Sequence, residues 1–137
     1  MPETASKDHE QIINALNLTA RIVRVLDDKK ARNVKVLGVN RQTVIADFFV
    51  IATGTSSTHI RSLSGEVEFK LKEESAIEPL RVDSPGNTDW IILDYGSVIV
   101  HIFNSEAREY YKLEKLWNEG EAIDPSELLD KLKENDK

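Results

Sequence analysis

The stretch of sequence that decides the fold is DWIILDYGSVIVHIF, from Asp89 to Phe103. It consists of two apolar runs separated by Gly96-Ser97, a dipeptide that favours the two-residue turn of a β-hairpin. Such a turn sets the register, because residues equally far from it on the two strands face each other. The predicted pairs are Tyr95 with Val98, Asp94 with Ile99, Leu93 with Val100, Ile92 with His101, Ile91 with Ile102 and Trp90 with Phe103.

The two faces of this hairpin differ in chemistry, because successive side chains of a strand point to opposite faces of a sheet. One face is almost entirely aliphatic, apart from Tyr95, and we expect it to pack against helices. The other face mixes Trp90, Phe103, His101 and Asp94, which makes it a candidate binding surface. Two alternatives stay open: Trp90 fills the core, and His101 is a satisfied, partly buried histidine instead of one oriented by Asp94.

Hydrophobic periodicity predicts the elements that precede the hairpin. Apolar residues at three- and four-residue steps indicate a helix from Asp8 to Asp28, and a second helix that follows a cap at Ser56 or Ser57. Runs of β-branched and aromatic residues predict short strands. These strands are expected at Asn33–Val39, Asp47–Thr53 and Pro79–Val82.

Two further helices are predicted after the hairpin. Asn104 or Ser105 caps a long third helix that ends near Gly120, and Asp124-Pro125 opens a short final helix through Lys133. Carboxylates outnumber lysines after this third helix, so we expect residues 121–137 to form an acidic, solvated helical extension of a domain at 1–120. The fold class is α/β (α+β), a single domain with a five-stranded sheet flanked by helices in the order αββαβββα.

Composition excludes several classes of protein. The 137 residues are 40% hydrophobic and 31% charged, which suits one globular domain. The sequence contains no cysteine, so disulfides and thiolate metal sites are excluded. No apolar run has a membrane helix's length of about 20 residues, and the acidic, polar segment Met1–Glu10 does not resemble a signal peptide, so we expect a cytoplasmic protein without a membrane partner. The net charge of −6 disfavours general nucleic-acid binding but suits a basic protein partner.

No pattern in the sequence predicts a catalytic centre, a metal site or a cofactor. Gly54-Thr55-Ser56 follows a strand and precedes a helix, where backbone amides hold phosphates in some proteins, but the further glycines and lysine of phosphate loops are missing. A turn and helix cap is the simpler interpretation. The carboxylates Asp83, Asp89 and Asp94 lack the alternate-residue spacing that would aim two of them from one strand face.

A stripe of the third helix offers a possible RNA contact. Arg108, Tyr111, Lys112 and Lys115 share one side of that helix if it is continuous. Basic residues interleaved with an aromatic ring suit RNA phosphates and bases, although such a stripe is more often a solvated face.

Five segments of the chain together resemble the ribosomal silencing factor family, RsfS or Iojap. They lie in the family's order between Ile12 and Trp117. The segments are DKKA at Asp28–Ala31, ADFFVIATGTS at Ala46–Ser56, DWIILDYG at Asp89–Gly96, VHIF at Val100–Phe103 and REYYKLEKLW at Arg108–Trp117.

The resemblance implies a mixed sheet similar to the nucleotidyltransferase fold, without demonstrated transferase chemistry, and a homodimer. It also implies binding to the large ribosomal subunit through ribosomal protein fourteen, which blocks subunit joining and represses translation when nutrients are scarce. No direct sequence-specific contact with nucleic acid is expected. Carried onto this chain, the partner-binding positions are Trp90, Asp94, Tyr95, Gly96, His101, Glu106, Arg108 and Tyr111.

Two other functions stay open beside this regulatory, non-enzymatic one. A nucleotidyltransferase-like enzyme would need a carboxylate pair that the sequence does not display. An RNA-binding module would use the stripe around Arg108 and would show a steep dependence of affinity on salt. Phe69 lies off the apolar stripe of the second helix, which agrees with a homodimer.

Overall fold

The computed structural model describes residues 9–40, 43, 45–84, 89–117 and 121–135. Helices and strands alternate in the order that the sequence predicts as far as the end of the hairpin. The elements are α1 (His9–Asp28), β1 (Arg32–Gly38), β2 (Phe48–Thr53), α2 (Ser57–Ser75), β3 (Arg81–Asp83), β4 (Trp90–Asp94), β5 (Val98–Phe103), α3 (Ser105–Tyr111), α4 (Leu113–Leu116), β6 (Glu121–Ile123) and α5 (Pro125–Asn135).

The described strands form one sheet in the order β3-β4-β5-β2-β1-β6. Strands β2 and β5 are parallel, and the other neighbours are antiparallel, so the sheet is mixed. The expected α+β domain with a mixed sheet flanked by helices is confirmed. The sheet has six strands instead of the predicted five, because the short segment β6 adds to the free edge of β1.

The hairpin has the predicted register. Each of the five pairs from Trp90 with Phe103 to Asp94 with Ile99 is observed. Tyr95 N–H donates to the Val98 carbonyl at 2.9 Å, and Gly96 has a φ of 85°. Only glycine adopts that backbone conformation readily, so the turn that sets the register depends on Gly96.

Side-chain caps begin two helices where the sequence placed them. Ser56 Oγ accepts the His59 N–H at 3.0 Å, and Asn104 Oδ1 accepts the Ala107 N–H at 2.7 Å. Gly54 directly follows β2. A Cβ at this position would lie 2.7 Å from the side chain of Ile60, so the close approach of the two residues requires glycine. The interpretation of the Gly54 segment as a turn and helix cap is therefore confirmed.

The prediction of one long third helix is wrong. The chain leaves α3 at Lys112, whose φ of 48° and ψ of 47° lie in the left-handed region, and resumes as α4. The break lets the Arg108 guanidinium form two bonds to the Glu114 carboxylate, at 2.9 and 3.0 Å. Residues six apart would lie on different sides of a continuous helix, so this ion pair requires the break. The predicted end near Gly120 lies outside the described residues.

The C-terminal segment is not the expected solvated appendage. Strand β6 pairs with β1, and α5 packs against α1. Leu128 and Leu132 of α5 are 5% and 3% exposed and belong to the main core. The acidic residues lie on the outer side of a helix whose apolar side is buried, so an excess of charge does not indicate an appendage.

Two apolar layers stabilise the sheet. The aliphatic face, with Leu93 and Val100, is covered by α1, α2 and α5. The opposite face is smaller and more aromatic, and Ala107, Leu113 and Trp117 from the α3–α4 region cover part of it. The rest of that face has half-buried side chains on β4 and exposed side chains on β3.

None of the helices in the described part of the chain is long and apolar enough to cross a membrane.

Candidate functional site

The uncovered part of the second face of the sheet is the candidate site, and we call it the aromatic surface. It consists of Trp90, Ile92 and Asp94 on β4 and Tyr111 at the end of α3. The three β4 side chains are half-buried, and Tyr111 is 46% exposed. Alternation along β4 puts its three side chains on one face, and the early end of α3 leaves them uncovered.

Trp90 is the centre of the aromatic surface. Its ring stacks on Phe103 with the centroids 4.9 Å apart, and it lies 4.7 Å from the ring of Tyr111. Phe103 is only 1% exposed, so the indole rests on the core while part of it reaches solvent. The two interpretations of Trp90 are therefore not exclusive, since it packs against the sheet and can also contact a partner.

His101 lies beneath this surface as a neutral side chain. It is 6% exposed, and burial lowers its pKa to about 4. Trp90 Nε1–H donates to His101 Nδ1 at 3.3 Å, and the ring of Phe49 meets the imidazole edge-to-face at 5.2 Å. Among the described residues His101 Nε2 has no partner.

Asp94 does not orient His101. Its Oδ1 accepts the Gly96 N–H at 2.8 Å, which stabilises the hairpin turn. The group that orients the imidazole is the indole of Trp90, so the structure supports the alternative of a buried histidine, but among the described residues only one of its two ring nitrogens is satisfied. Asp94 stays half-buried at the end of β4 that is nearest the turn.

Tyr95 points to the opposite face of the sheet, beneath the helices. It is 8% exposed, and its hydroxyl has no partner among the described residues. Burial raises its pKa, and the nearby Glu68 carboxylate raises it further. Tyr95 therefore cannot touch the same partner surface as Trp90 without a rearrangement of the helices.

Arg108 fastens α3 and α4 to the sheet. Besides its two bonds to Glu114, its Nη1 donates to Thr53 Oγ1 at 2.7 Å, and its side chain is 11% exposed. The hydrogen bond from Arg108 is the main reason that the pKa of Glu114 is lowered. Because the helix breaks at Lys112, Arg108, Lys112 and Lys115 do not form a stripe along one continuous helix, although all three line one cleft.

The structure thus separates the sequence-predicted site residues into groups. Trp90, His101 and Tyr111 belong to one aromatic cluster. Gly96 lies at the hairpin turn beside Asp94, and Glu106 is exposed in the first turn of α3. Tyr95 and Arg108 are packing residues outside the aromatic surface.

Sequence reasoning did not select Ile92 and Arg81, which lie on the same face of the sheet. Ile92 follows Trp90 by two residues, so alternation could have found it. Arg81 joins this face because it pairs with Asp94 across β3 and β4. No short turn connects those two strands, and their register could not be predicted.

The candidate carboxylates do not converge. Asp83 Oδ1 accepts the Ser84 N–H at 2.9 Å, and Asp89 Oδ1 accepts from the Asn104 side chain at 2.9 Å. Within the described ranges, no three histidine, cysteine, aspartate or glutamate residues form a group that could hold a metal ion. These carboxylates therefore serve turns and caps.

Comparisons with known proteins agree on one family. A family model described as "Ribosomal silencing factor during starvation", RsfS, matches residues 12–137. The ribosomal silencing factor of Halalkalibacterium halodurans is 36% identical over 102 residues, which are 74% of this chain and 86% of that protein. Mouse "Mitochondrial assembly of ribosomal large subunit protein 1" is 32% identical over 101 residues, 70% of this chain and 43% of that protein. A crystal structure from Chromobacterium violaceum is similar with a TM-score of 0.70 and 27% identity, covering 74% of this chain and 83% of that one.

Proposed function

The chain belongs to the ribosomal silencing factor family, RsfS, and from that premise we propose that it binds the large ribosomal subunit through ribosomal protein fourteen and blocks subunit joining by steric hindrance. Family membership makes it a ribosome-associated silencing factor. The proposal adds the partner and the mechanism: a bound protein that occupies the joining surface represses translation without catalysis. It would act in the cytoplasm, on the ribosomes there, when nutrients are scarce.

The name of one relative and the net charge of this chain support a partner on the large subunit. The name of the mouse relative places that protein in the assembly of the ribosomal large subunit. The net charge of −6 favours approach to a basic ribosomal protein, because opposite charges steer association. It disfavours indiscriminate adhesion to the surrounding RNA.

The observation that carries the proposal is the half-buried Trp90 on its rigid support. Interface hot spots are enriched in tryptophan, tyrosine and arginine, and they work best when they are held in place before binding. Trp90 is held by Phe103, Tyr111 and the bond to His101. Little conformational entropy is therefore lost when a partner covers it.

The eight family positions have different roles in this proposal. Trp90 and Tyr111 contact the partner directly, and Asp94 and Glu106 offer carboxylates to its basic groups. The other four shape the surface. Gly96 forms the turn, His101 holds the indole, Tyr95 anchors the hairpin to the helices, and Arg108 anchors α3 to the sheet.

Co-sedimentation with isolated large subunits tests the proposal. The variant Trp90→Ala should lose detectable binding, because truncation of a hot-spot residue costs about 2 kcal/mol or more. It should also lose about 2 to 3 kcal/mol of folding stability, since the indole packs on Phe103. Binding must therefore be measured at a temperature where the variant is folded.

Trp117→Ala is the matched control. Trp117 is also half-buried against the second face, edge-to-face with Phe49 at 5.0 Å, but it belongs to the α3–α4 region that covers the other part of that face. It should lose stability and keep subunit binding. The proposed contact is wrong if both variants bind equally, and the proposed partner is wrong if the parent protein sediments with joined ribosomes or with subunits that lack protein fourteen.

We also propose that the protein is a homodimer. Phe69 on α2 is 55% exposed, and Ile13 on α1 is 42% exposed, so both helices present apolar side chains to solvent. Light scattering at tens of micromolar should give the mass of two chains. A monomer at that concentration would contradict the proposal.

A further inference from the structure

A cleft lies beside α3, the helix that also carries Tyr111 of the aromatic surface. This cleft has a volume of about 780 Å³ and lies between β1, the end of β2 and the α3–α4 region. Four of its lining side chains are cationic and two are carboxylates. The cations are Lys35, Arg108, Lys112 and Lys115, and the acids are Glu109 and Glu114.

This excess of positive charge is opposite to the charge of the whole chain, which is −6. Glu114 is shared by two cations, since it bonds Arg108 and lies 3.4 Å from Lys35 Nζ. Lys112 pairs with Glu109, whose side chain is 80% exposed, so that contact is weak. Lys115 has no ion-pair partner among the residues that the structure describes. The cleft therefore keeps cationic groups available for an anion.

The floor of the cleft also keeps free hydrogen-bond donors. A guanidinium has five N–H groups, and the bonds to Glu114 and Thr53 use three of those on Arg108. Thr53 lines the cleft and its Oγ1 accepts from Arg108, so that bond does not use the hydroxyl proton of Thr53. A planar, nearly buried guanidinium beside a hydroxyl suits phosphate oxygens.

The residues that line the cleft suit a phosphate group and not a nucleobase. Val34 is the only apolar side chain among the described residues that line it, and none of them is aromatic. A nucleobase would therefore find no ring to stack on, whereas the backbone of an RNA strand needs only cations and donors. The cleft and the aromatic surface share α3, because Arg108 lines the cleft and Tyr111 belongs to the aromatic surface.

We propose that this cleft binds the phosphate backbone of ribosomal RNA, next to the ribosomal protein that the aromatic surface contacts. The inference rests on the proposed function for the identity of the RNA. Such a contact is independent of sequence, and it would add affinity and fix the orientation of the bound protein. It also makes subunit binding more sensitive to salt.

The test uses the double variant Lys112→Asn/Lys115→Gln. Asparagine tolerates the left-handed backbone at Lys112, so the break between α3 and α4 is kept. Lys70→Gln/Lys72→Gln on α2 removes the same charge away from the cleft. In co-sedimentation with large subunits over a salt series, the cleft variant should bind several-fold more weakly, and the slope of log affinity against log salt should fall by roughly 1 to 2. The α2 variant should match the parent.

A second measurement separates the inference from the proposed function. Amide chemical shifts are followed while a short RNA duplex, and separately GTP, is added to the parent protein. Shifts of the Ser105 and Glu114 amides with the duplex, absent in the cleft variant, would support the inference even if no subunit binding were found. The inference is overturned if the parent and the cleft variant bind subunits with equal salt slopes, or if GTP shifts these amides and the duplex does not. If the salt slopes are equal but Trp90→Ala still loses subunit binding, the inference about the cleft is wrong and the proposed function stands.

Discussion

At the scale of single residues, His101 is a buried group whose protonation opposes the fold. Burial lowers its pKa to about 4 in the folded chain, against an ordinary value of 6.5. The folded state favours the neutral ring, so the contribution of His101 to the free energy of unfolding is complete above the ordinary pKa. Below it, the unfolded chain takes up a proton that the folded chain does not, and stability falls until the folded pKa is reached. We expect the free energy of unfolding to drop by about 2 kcal/mol between about pH 7 and about pH 5.

Urea unfolding at these two pH values measures the drop, and His101→Asn supplies the control. Asparagine places an acceptor near the position of Nδ1, so the bond from Trp90 is retained while the titrating group is removed. The variant starts from a lower stability, because it leaves a small cavity. Between about pH 7 and about pH 5, the free energy of unfolding of the variant should fall by about 2 kcal/mol less than that of the parent. Equal decreases in the two proteins would show that other groups cause the acid sensitivity.

The environment of the Tyr95 hydroxyl, in the DWIILDYG segment, could not be predicted from the sequence. The pairing of Tyr95 with Val98 was predicted, but not that the Tyr95 hydroxyl would be buried without a partner among the described residues. A buried hydroxyl without a hydrogen bond opposes folding, so Tyr95→Phe should raise the free energy of unfolding by about 1 kcal/mol. Thermal unfolding measures this, and binding to large subunits should not change. A loss of stability would mean that the hydroxyl has a partner.

At the scale of elements, prediction succeeded where a local signal fixes the backbone. Gly96-Ser97 set the hairpin register, and Ser56 and Asn104 marked the starts of two helices. It failed at Lys112, because lysine is a good helix former and nothing local indicates a left-handed backbone there. The reason for the break lies in the ion pair of Arg108 with Glu114, which only the folded arrangement shows.

Two residues, one inside helix α2 and one at its C-cap, are poorly suited to their backbone conformations. Replacing the glycine by alanine and the alanine by glycine should stabilise the helix. Gly65 is exposed inside the helix, and a Cβ there would meet nothing within 4 Å. Ala76 ends the helix with a φ of 56°, a conformation that glycine adopts without strain. Gly65→Ala and Ala76→Gly should each add about 0.5 to 1 kcal/mol in denaturant unfolding.

The two effects should be additive, because the positions lie far apart along α2 and share no partner. The reverse-type change Ser75→Gly, one residue before the cap and still within the helix, is the control and should destabilise. Were Ala76→Gly to lower stability, the left-handed conformation at the end of the helix would not be the source of strain.

At the scale of the whole molecule, the main error of sequence reasoning concerns the C-terminal segment. Its helix was predicted from Asp124-Pro125, and Asp124 does cap it, accepting the Ser126 N–H at 3.0 Å. Its place in the fold was not predicted, because β6 is too short for a periodic signal and edge pairing depends on the rest of the sheet. The family model also continues through this segment. The acidic helix is thus part of the layer that covers the aliphatic face of the sheet.

This arrangement predicts that the C-terminal helix and the sheet unfold together. Leu132 is 3% exposed in the main core, so Leu132→Ala should cost about 2 to 4 kcal/mol and lower the midpoint of a single thermal transition. Leu116→Ala makes the same change at a side chain that is 72% exposed, and it should stay within about 0.5 kcal/mol of the parent. Calorimetry distinguishes the possibilities, because an appendage that folds separately would give two transitions or no change in the main one. If the two variants are equally stable, the C-terminal segment is a solvated extension. If Leu132→Ala is much less stable than Leu116→Ala, the segment is a structural part of the domain that carries the aromatic surface.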